Sequence, residues 1–184
     1  MRSGSALLVS ALLALPFAAA CAGGGTAARG PAGAAAPPAE NFRDVVLSDL
    51  GGHPARLADA AGRRPALINF WAPWCEPCVR EQPALQQLAR QASACGAAVV
   101  GVAVGENRET IRRFALERKL EFPQLIDQDF HLSDALGQRR IPATLVLDAE
   151  LAVVFAGDEL DGRAIAALRK AIAAAGASAE CALM

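Results

Sequence analysis

The chain has 184 residues, of which 53% are apolar, and this length is enough for one compact domain with a sizeable core. Eighteen Lys and Arg residues stand against 19 Asp and Glu residues, which gives a formal net charge of -1. The apolar content excludes a chain that is disordered throughout, and the balanced charge provides no basic footprint, so no nucleic-acid partner is expected.

The N-terminus predicts an export signal. Arg2 supplies one positive charge, and residues 6–20 form an uncharged, largely apolar run of 15 residues. This run is shorter than the roughly 20 residues of a membrane span, and it ends in the small residues that precede a cleavage site. We therefore interpret residues 1–20 as a signal, the Gly/Ala/Pro-rich residues 21–40 as a tether, and residues 41–184 as the folded domain.

Cys21 directly follows the small residues at the end of this run. Here the sequence resembles a bacterial lipoprotein signal, in which the Cys after the cut becomes lipidated, although Ala18 stands where that pattern usually has Leu. The resemblance implies a lipid anchor at Cys21, with ordinary cleavage after Ala20 and an uncut anchor as the alternatives. All three place the domain outside the cytoplasm, on the periplasmic side of a bacterial membrane.

From Asn41 onward, short apolar runs alternate with segments of helical periodicity, which is typical of an α/β domain. Strands are predicted over residues 45–47, 65–71, 97–104, 122–126, 141–147 and 151–155, and helices over residues 75–94, 107–119, 132–136 and 161–175. The uncharged run at 97–104 indicates a central strand that is covered on both faces. The last two strands are separated by a tight turn and are expected to pair as a hairpin.

Cys75 and Cys78 lie at the predicted junction of a strand and a helix. Two thiols at this spacing can close a disulfide across one helical turn. The first thiol faces the unpaired N–H groups and the positive dipole end of the helix, which favour a thiolate. We expect Cys75 to be the exposed nucleophile and Cys78, one turn inward, to be the resolving thiol. Pro77 fits the first turn because its missing N–H would be unpaired there.

The segment 69–78 (NFWAPWCEPC) and the downstream Ile141-Pro142-Ala143-Thr144 resemble a thioredoxin-fold protein. The chain is most similar to the extracytoplasmic TlpA/ResA group of thiol:disulfide oxidoreductases, over roughly residues 41–176. The resemblance implies an α/β fold, a thioredoxin-like three-layer sandwich in which a central mixed sheet carries helices on both faces. It also implies an enzyme that needs no cofactor beyond the redox-active Cys75-Cys78 disulfide.

The resemblance assigns roles to further positions. Pro142 matches the family's cis-proline opposite the cysteine pair, which exposes the backbone of Ile141 to an incoming peptide. Glu81 matches an acidic residue beneath the site, where a carboxylate can exchange protons with the buried thiol. Asn69 stands where cytoplasmic thioredoxins keep a buried Asp, so Glu81 is the candidate replacement. The alternative for Glu81 is a plain acid on the helix surface.

Four residues around the cysteines are candidates for substrate docking, namely Trp74, Glu76, Pro77 and Ile141. Strong oxidants commonly carry His beside the nucleophile, whereas Glu76 here should repel the Cys75 thiolate. This difference predicts a reductase, with a potential toward ~ -270 mV rather than ~ -120 mV. Arg139 and Arg140 precede Ile141 where the family often has a small residue; they either bias the protein toward acidic partners or extend into water.

Two further cysteines form a candidate structural disulfide. With Cys21 lipidated, Cys95 and Cys181 are left over, and in an exported chain their pairing would staple the C-terminal tail to the end of the active-site helix. Two free thiols are the alternative. His53 and His131 are isolated in the sequence, so no metal site is predicted.

The sequence thus predicts an exported, membrane-tethered, monomeric protein-disulfide reductase. Its expected partners are disulfide-containing client proteins, a membrane thiol that donates electrons, and the membrane itself through the N-terminal lipid. By resemblance, clients in this group include apocytochrome c and the copper-site cysteines of terminal oxidases. The segment after Pro142 lacks the acidic residue that dedicated cytochrome c maturation proteins often carry, which favours general or copper-linked reduction.

Two other classes are weighed against this prediction. A copper-delivery protein on the same fold would use cysteines and a His as ligands, but those relatives space the cysteines by three residues and add a downstream His. This chain has neither feature. A thiol peroxidase on a related fold would carry a Thr-X-X-Cys site, which is absent from the sequence.

Overall fold

The computed structural model describes residues 40–176 together with Cys181 and Leu183. The predicted signal, Cys21 and the tether up to residue 39 lie outside the described residues. In the part of the chain that is described, no helix has both the length and the apolar character needed to cross a bilayer.

A 3₁₀ helix over Glu40–Asp44 precedes seven strands and five α-helices in the described residues. The strands are β1 (Leu47–Asp49), β2 (Pro54–Ala55), β3 (Ala66–Trp71), β4 (Ala98–Val104), β5 (Gln124–Asp127), β6 (Ala143–Leu147) and β7 (Val153–Gly157). The helices are α1 (Leu57–Ala61), α2 (Glu76–Ala94), α3 (Arg108–Arg118), α4 (His131–Ala135) and α5 (Gly162–Ala174).

The strands form one mixed sheet in the order β2-β1-β5-β4-β3-β6-β7. The central strand β4 runs parallel to β3 and β5, and the other neighbouring strands are antiparallel. Because β3 and β4 are parallel, the chain must return between them, and α2 is the crossover that does so. The N-terminus of α2 therefore lies just beyond the carboxyl end of β3.

Both faces of the sheet are covered. Every residue of β4 is buried, and its side chains alternate between the two faces, as the period of two in a strand requires. Val100 and Val102 pack in the cluster that contains α1 and α4, whereas Val99 and Ala103 pack in clusters that contain α2, α3 and α5. The predicted three-layer α/β sandwich is confirmed.

Several element boundaries differ from the predicted ones. The strand predicted over 141–147 begins at Ala143, because Pro142 has no N–H to contribute to the ladder. The strand predicted over 45–47 is Leu47–Asp49, whose position follows from antiparallel pairing with β5. The strand predicted over 151–155 starts at Val153, because the Asp148 side chain holds the Ala152 N–H and extends the turn.

Candidate active site

Cys75 and Cys78 form a disulfide at the start of α2, with their Cα atoms 5.3 Å apart. Cys75 is the N-cap of the helix, and its Sγ accepts a hydrogen bond from the Cys78 N–H at 3.3 Å. Pro77 lies in the first turn, where an N–H would have no acceptor within the helix. The Cys75 sulfur thus lies at the positive end of a 19-residue helix, an environment that stabilises a thiolate.

The expected exposure of Cys75 is wrong. The residue is only 6% exposed, and Cys78 is fully buried. Cys75 belongs to a buried cluster with Trp71 and Ala72, and Ile141, from the loop before β6, packs against this cluster. Cys75 remains the more exposed of the two cysteines, so another molecule can reach its sulfur only through close contact with the surrounding surface.

The two tryptophans beside the cysteines have different environments. Trp74 is 63% exposed, whereas Trp71 is fully buried and stacks at a tilt on Phe114, with ring centroids 5.1 Å apart. The Trp71 Nε1–H donates to Gln124 Oε1 at 3.0 Å. Gly101 makes room for this amide, since a Cβ there would lie 2.1 Å from Gln124 Oε1. Gln124 was not identified from the sequence; the one signal was a Gly inside an apolar strand, which indicates a close approach.

The Glu76 carboxylate is less able to repel a Cys75 thiolate than the sequence predicts. Glu76 Oε1 accepts a hydrogen bond from Arg80 Nη1 at 2.6 Å, and the Glu76 side chain is 85% exposed. The guanidinium group offsets the negative charge, and water screens the remainder. The argument for a reductase therefore depends less on Glu76 than the sequence alone indicates.

Glu81 lies three residues after Cys78 on α2 and is half-buried. Its Oε1 accepts a hydrogen bond from the Leu160 N–H at 3.0 Å, and its Oε2 accepts one from Asn69 Nδ2 at 3.4 Å. Burial raises the pKa of Glu81 above its ordinary value; the two hydrogen bonds oppose this shift, and the negative charge of Glu159 adds to it. The structure therefore holds Glu81 as a fixed, partly desolvated carboxyl group.

Asn69 links Glu81 to the strand that follows Pro142. Asn69 is fully buried, and its Nδ2 also donates to Oγ1 of Thr144, its partner across β3 and β6, at 3.4 Å. Its Oδ1 is buried without a hydrogen-bond partner among the described residues. The Ile141-Pro142 peptide bond is cis. The fold thus brings residues from α2, β3, β6 and the loop before β6 to one place.

Cys95 and Cys181 are joined by a second disulfide, with their Cα atoms 5.4 Å apart. Cys95 is the C-cap of α2, so this bond lies at the opposite end of that helix from Cys75. Leu183 is buried in the neighbouring core, and its carbonyl accepts a hydrogen bond from Arg169 on α5. Across residues 40–176, Cys181 and Leu183, no three His, Cys, Asp or Glu side chains are grouped as metal ligands would be.

Comparison with known proteins finds relatives that share the region around the cysteines. The thiol-disulfide oxidoreductase ResA from Geobacillus kaustophilus (strain HTA426) is 36% identical over 105 residues, which are 57% of this chain and 60% of the relative. The thiol-disulfide oxidoreductase ResA from Bacillus subtilis (strain 168) is 33% identical over 116 residues, 63% of each chain. The chain therefore spans less than two thirds of these relatives' own length.

A solved structure and a family profile extend the comparison. The structure of dsbF from Mycobacterium tuberculosis (MTB) is 26% identical, with a TM-score of 0.60, over 74% of this chain and 98% of that one. The profile of the AhpC/TSA family matches residues 38–156, a range that contains Cys75, Cys78, Glu81 and Pro142. Since that match covers well over half of the sequence, this thioredoxin-like chain belongs to the AhpC/TSA family.

Proposed function

We propose that the protein is a thiol-disulfide oxidoreductase that reduces disulfides in client proteins. The observation that carries this proposal is the Cys75-Cys78 disulfide at the N-terminus of α2, with the half-buried carboxyl of Glu81 on the same helix. The relatives that align with this region are named thiol-disulfide oxidoreductases, which supports the same chemistry here.

The reaction begins from the reduced cysteine pair. The Cys75 thiolate attacks one sulfur of the client disulfide, so that a Cys75-client disulfide forms and the second client sulfur leaves as a thiolate. The Cys78 thiolate then attacks Cys75 Sγ, which closes the Cys75-Cys78 disulfide and releases the first client sulfur. Two electrons pass from the protein dithiol to the client, and each client thiolate takes one proton.

Glu81 acts in this scheme as the proton acceptor for Cys78. The Cys78 thiol is fully buried and must lose its proton before it can attack. Glu81 lies three residues further along α2, where side chains on the same helix face meet. Because burial raises the pKa of Glu81, its carboxylate is a stronger base than an exposed Glu and can later return the proton.

The place and direction of the reaction are also part of the proposal. The N-terminal sequence pattern supports export to the periplasmic side of a bacterial membrane and a lipid anchor at Cys21. A reductase outside the cytoplasm needs an electron supply, and a membrane thiol relay would provide it. Apocytochrome c, copper-site proteins and general disulfide-containing proteins are the proposed client classes.

The reduction potential of the Cys75-Cys78 pair tests the direction. The full chain is equilibrated with glutathione or dithiothreitol buffers, and the redox state of the pair is read from alkylated peptides that contain both cysteines. A value well below ~ -200 mV is expected for a reductase that must be supplied with electrons. A value near ~ -120 mV would show that the protein forms disulfides in its clients instead.

Single cysteine variants test the assigned order of attack. Cys75→Ser should abolish disulfide exchange, whereas Cys78→Ser should still attack and accumulate a mixed disulfide with the client. Mass spectrometry of the trapped complex should locate the bond at Cys75. If Cys78→Ser releases reduced client at the wild-type rate, the resolving role of Cys78 is wrong.

A further inference from the structure

A cavity of about 250 Å³ opens beside the redox-active disulfide. Its lining includes Trp74, which precedes Cys75, and Ile141, which packs against the buried cluster that contains Cys75. Val104 and Phe130 add to its apolar wall. An engineered apolar cavity of about 150 Å³ binds benzene, so this cavity has room for one aromatic or large aliphatic side chain.

The cavity also carries much of the exposed aromatic surface near the site. Trp74 is 63% exposed and Phe130 is 45% exposed, and both side chains line the cavity. Large apolar side chains that are exposed together beside a reactive group mark a surface that a partner covers. Aromatic side chains are also enriched where protein partners are recognised.

Phe130 is held in place by the structure around it. Its backbone has φ 61° and ψ 21°, in a region that bulky residues rarely adopt. The buried carboxylate of Asp127 accepts hydrogen bonds from the Leu132 N–H at 3.1 Å and the Ser133 N–H at 2.8 Å, which fixes the start of α4. The Phe130 ring lies over Gly105, where a Cβ would come within 2.5 Å of the ring. Phe130 is therefore ordered before a partner arrives, which lowers the entropy lost on binding.

The rim of the same cavity is positively charged. Arg139 and Arg140 line the cavity and are exposed, and in the described part of the chain neither takes part in an ion pair. Asp134 is the acidic residue that lines the cavity. Glu76, the residue that follows Cys75, already pairs its carboxylate with Arg80. The surface around the cavity thus offers two unpaired guanidinium groups to a client.

We propose that this cavity and its arginine rim select client segments that carry an aromatic side chain and acidic residues next to the disulfide cysteine. The aromatic side chain enters the space between Trp74, Phe130 and Ile141, and the acidic residues pair with Arg139 and Arg140. This inference rests on the proposed function, because it describes how a client disulfide is brought to Cys75.

The two contributions have different physical signatures. Arginine binds carboxylates through two parallel hydrogen bonds, and charge pairs at an exposed rim mainly speed the encounter of the partners. Salt screens this contribution, since the Debye length falls from about 10 Å at 0.1 M to about 3 Å at 1 M ionic strength. Burial of an aromatic side chain in the cavity is not weakened in this way. Salt therefore separates the role of the arginines from that of the cavity.

The test uses the reduced full chain and three peptides. Each peptide has one cysteine, which forms a disulfide with a second copy of the same peptide. One peptide carries Phe and two Glu next to the cysteine, the second carries Phe and two Lys, and the third carries Ser and two Glu. We expect the Phe/Glu peptide to be reduced about tenfold faster than the Phe/Lys peptide at low salt, with the difference largely lost near 1 M salt. The Phe/Glu peptide should also be reduced faster than the Ser/Glu peptide at both salt concentrations.

Charge reversal locates the preference. R139E/R140E should reverse the order of the Phe/Glu and Phe/Lys peptides. The matched control is R112E/R113E, because these adjacent exposed arginines on α3 undergo the same change in charge but do not line the cavity. The control should keep the preference for the acidic peptide. Phe130→Ala should remove the advantage of Phe over Ser and keep the preference for Glu over Lys.

The outcomes separate this inference from the proposed function. Wild-type protein is also assayed with bis(2-hydroxyethyl) disulfide, a small uncharged substrate. If this compound is reduced but the Phe/Glu and Phe/Lys peptides react at equal rates, the docking inference is wrong and the reductase proposal stands. The same holds if R112E/R113E changes the peptide order as much as R139E/R140E does. If wild-type protein reduces neither the small disulfide nor any peptide, the proposed function itself is wrong.

Discussion

In the proposed mechanism, Asn69 supplies hydrogen-bond donors and Glu81 supplies the ionisable group. A single buried acid could perform both tasks. The Asn69 amide does not titrate, but its Nδ2 group contacts both Glu81 Oε2 and Thr144 Oγ1. Glu81 supplies the ionisable group, and the Leu160 N–H fixes its other oxygen. The Glu81 carboxyl group is therefore held by hydrogen bonds from β3 and from the segment before α5.

Replacement of Glu81 by Gln should change the pH dependence of disulfide reduction. Burial raises the pKa of Glu81, so the wild-type rate should increase with pH through a pKa above the ordinary carboxyl value. Glu81→Gln should lose this step and should be at least about tenfold slower at neutral pH, because the amide accepts no proton. Stopped-flow reduction of a client disulfide across the pH range measures both effects.

Stability gives a second readout for the same variant. The folded state holds the Glu81 proton more tightly than the unfolded chain, so ionisation of Glu81 lowers stability as the pH rises from its ordinary pKa to its raised pKa. Glu81→Gln should lose this part of the pH dependence, whereas Glu117→Gln, at an exposed position on α3, should keep it. If Glu81→Gln shows the wild-type pH dependence of both rate and stability, the proton-transfer role is wrong and Glu81 acts only as an acid on the helix surface.

At the scale of the elements, the cap of α5 lies next to the active site. Asp161 Oδ1 accepts hydrogen bonds from the N–H groups of Arg163 and Ala164, each at 2.9 Å. Leu160, the preceding residue, donates its N–H to Glu81. The start of α5 therefore stabilises a helix and at the same time places one of the donors that hold the Glu81 carboxyl group.

Asp161→Ala should lower the free energy of unfolding by about 1 kcal/mol at neutral pH, because two N–H groups lose their acceptor. The hydrogen bond from Ala164, followed by the bond and charge of Arg163, holds the pKa of Asp161 below its ordinary value. Its contribution is thus complete above the ordinary carboxyl pKa and is lost as the pH falls through the lowered pKa. Urea unfolding of both proteins at neutral and strongly acidic pH measures the difference.

Asp158→Ala is the control for this cap, since Asp158 is an exposed acid in the turn before α5 and is not its N-cap. Its effect on stability should be small at both pH values. An Asp161→Ala difference that stays the same at strongly acidic pH would mean that packing, and not the charged cap, accounts for it.

The sequence predicted the elements whose signals are local. The uncharged run at 97–104 corresponds to β4, Ala98–Val104, which is buried on both faces. Its continuous apolar pattern was sufficient to predict a central strand. α1 and β2 were not predicted, and β2 has only two residues, too few to show an alternation of apolar and polar side chains. The position of the cysteine pair at a helix N-terminus was likewise local, and it was predicted.

The Cys95-Cys181 disulfide was predicted from the cysteine count, but other contacts between distant segments were not. The burial of Cys75 depends on Ile141, and the bond between Trp71 and Gln124 depends on the register of β4 and β5 around Gly101. Sequence spacing contains no information about such pairings. The hydrogen bond from the Leu160 backbone to Glu81 could not be predicted either, because almost every residue type has a backbone N–H.

At the scale of the whole molecule, the Cys95-Cys181 disulfide closes a long loop, because 86 positions separate the two residues. A cross-link over such a distance removes much of the conformational freedom of the unfolded chain. Cys95→Ser/Cys181→Ser should therefore lower the free energy of unfolding by about 4.5 kcal/mol in the chain-entropy description. Denaturant unfolding of the oxidised wild-type protein and of the double variant measures this difference in the free energy of unfolding.

The matched comparison is Cys75→Ser/Cys78→Ser, since that disulfide joins residues only three positions apart. Opening so short a loop should change stability much less. Equal losses in the two double variants would contradict the idea that the second disulfide acts by restricting the unfolded chain.

The helix α2 has a half-cystine at each end, with Cys75 as its N-cap and Cys95 as its C-cap. Complete reduction of these two bonds consumes four electrons, whereas one round of the proposed reaction transfers two. A strong dithiol used to reduce the Cys75-Cys78 bond can therefore also detach the C-terminal segment from α2. Thiol counting during such a preparation would distinguish the molecule that is ready for catalysis from one that has also lost its second cross-link.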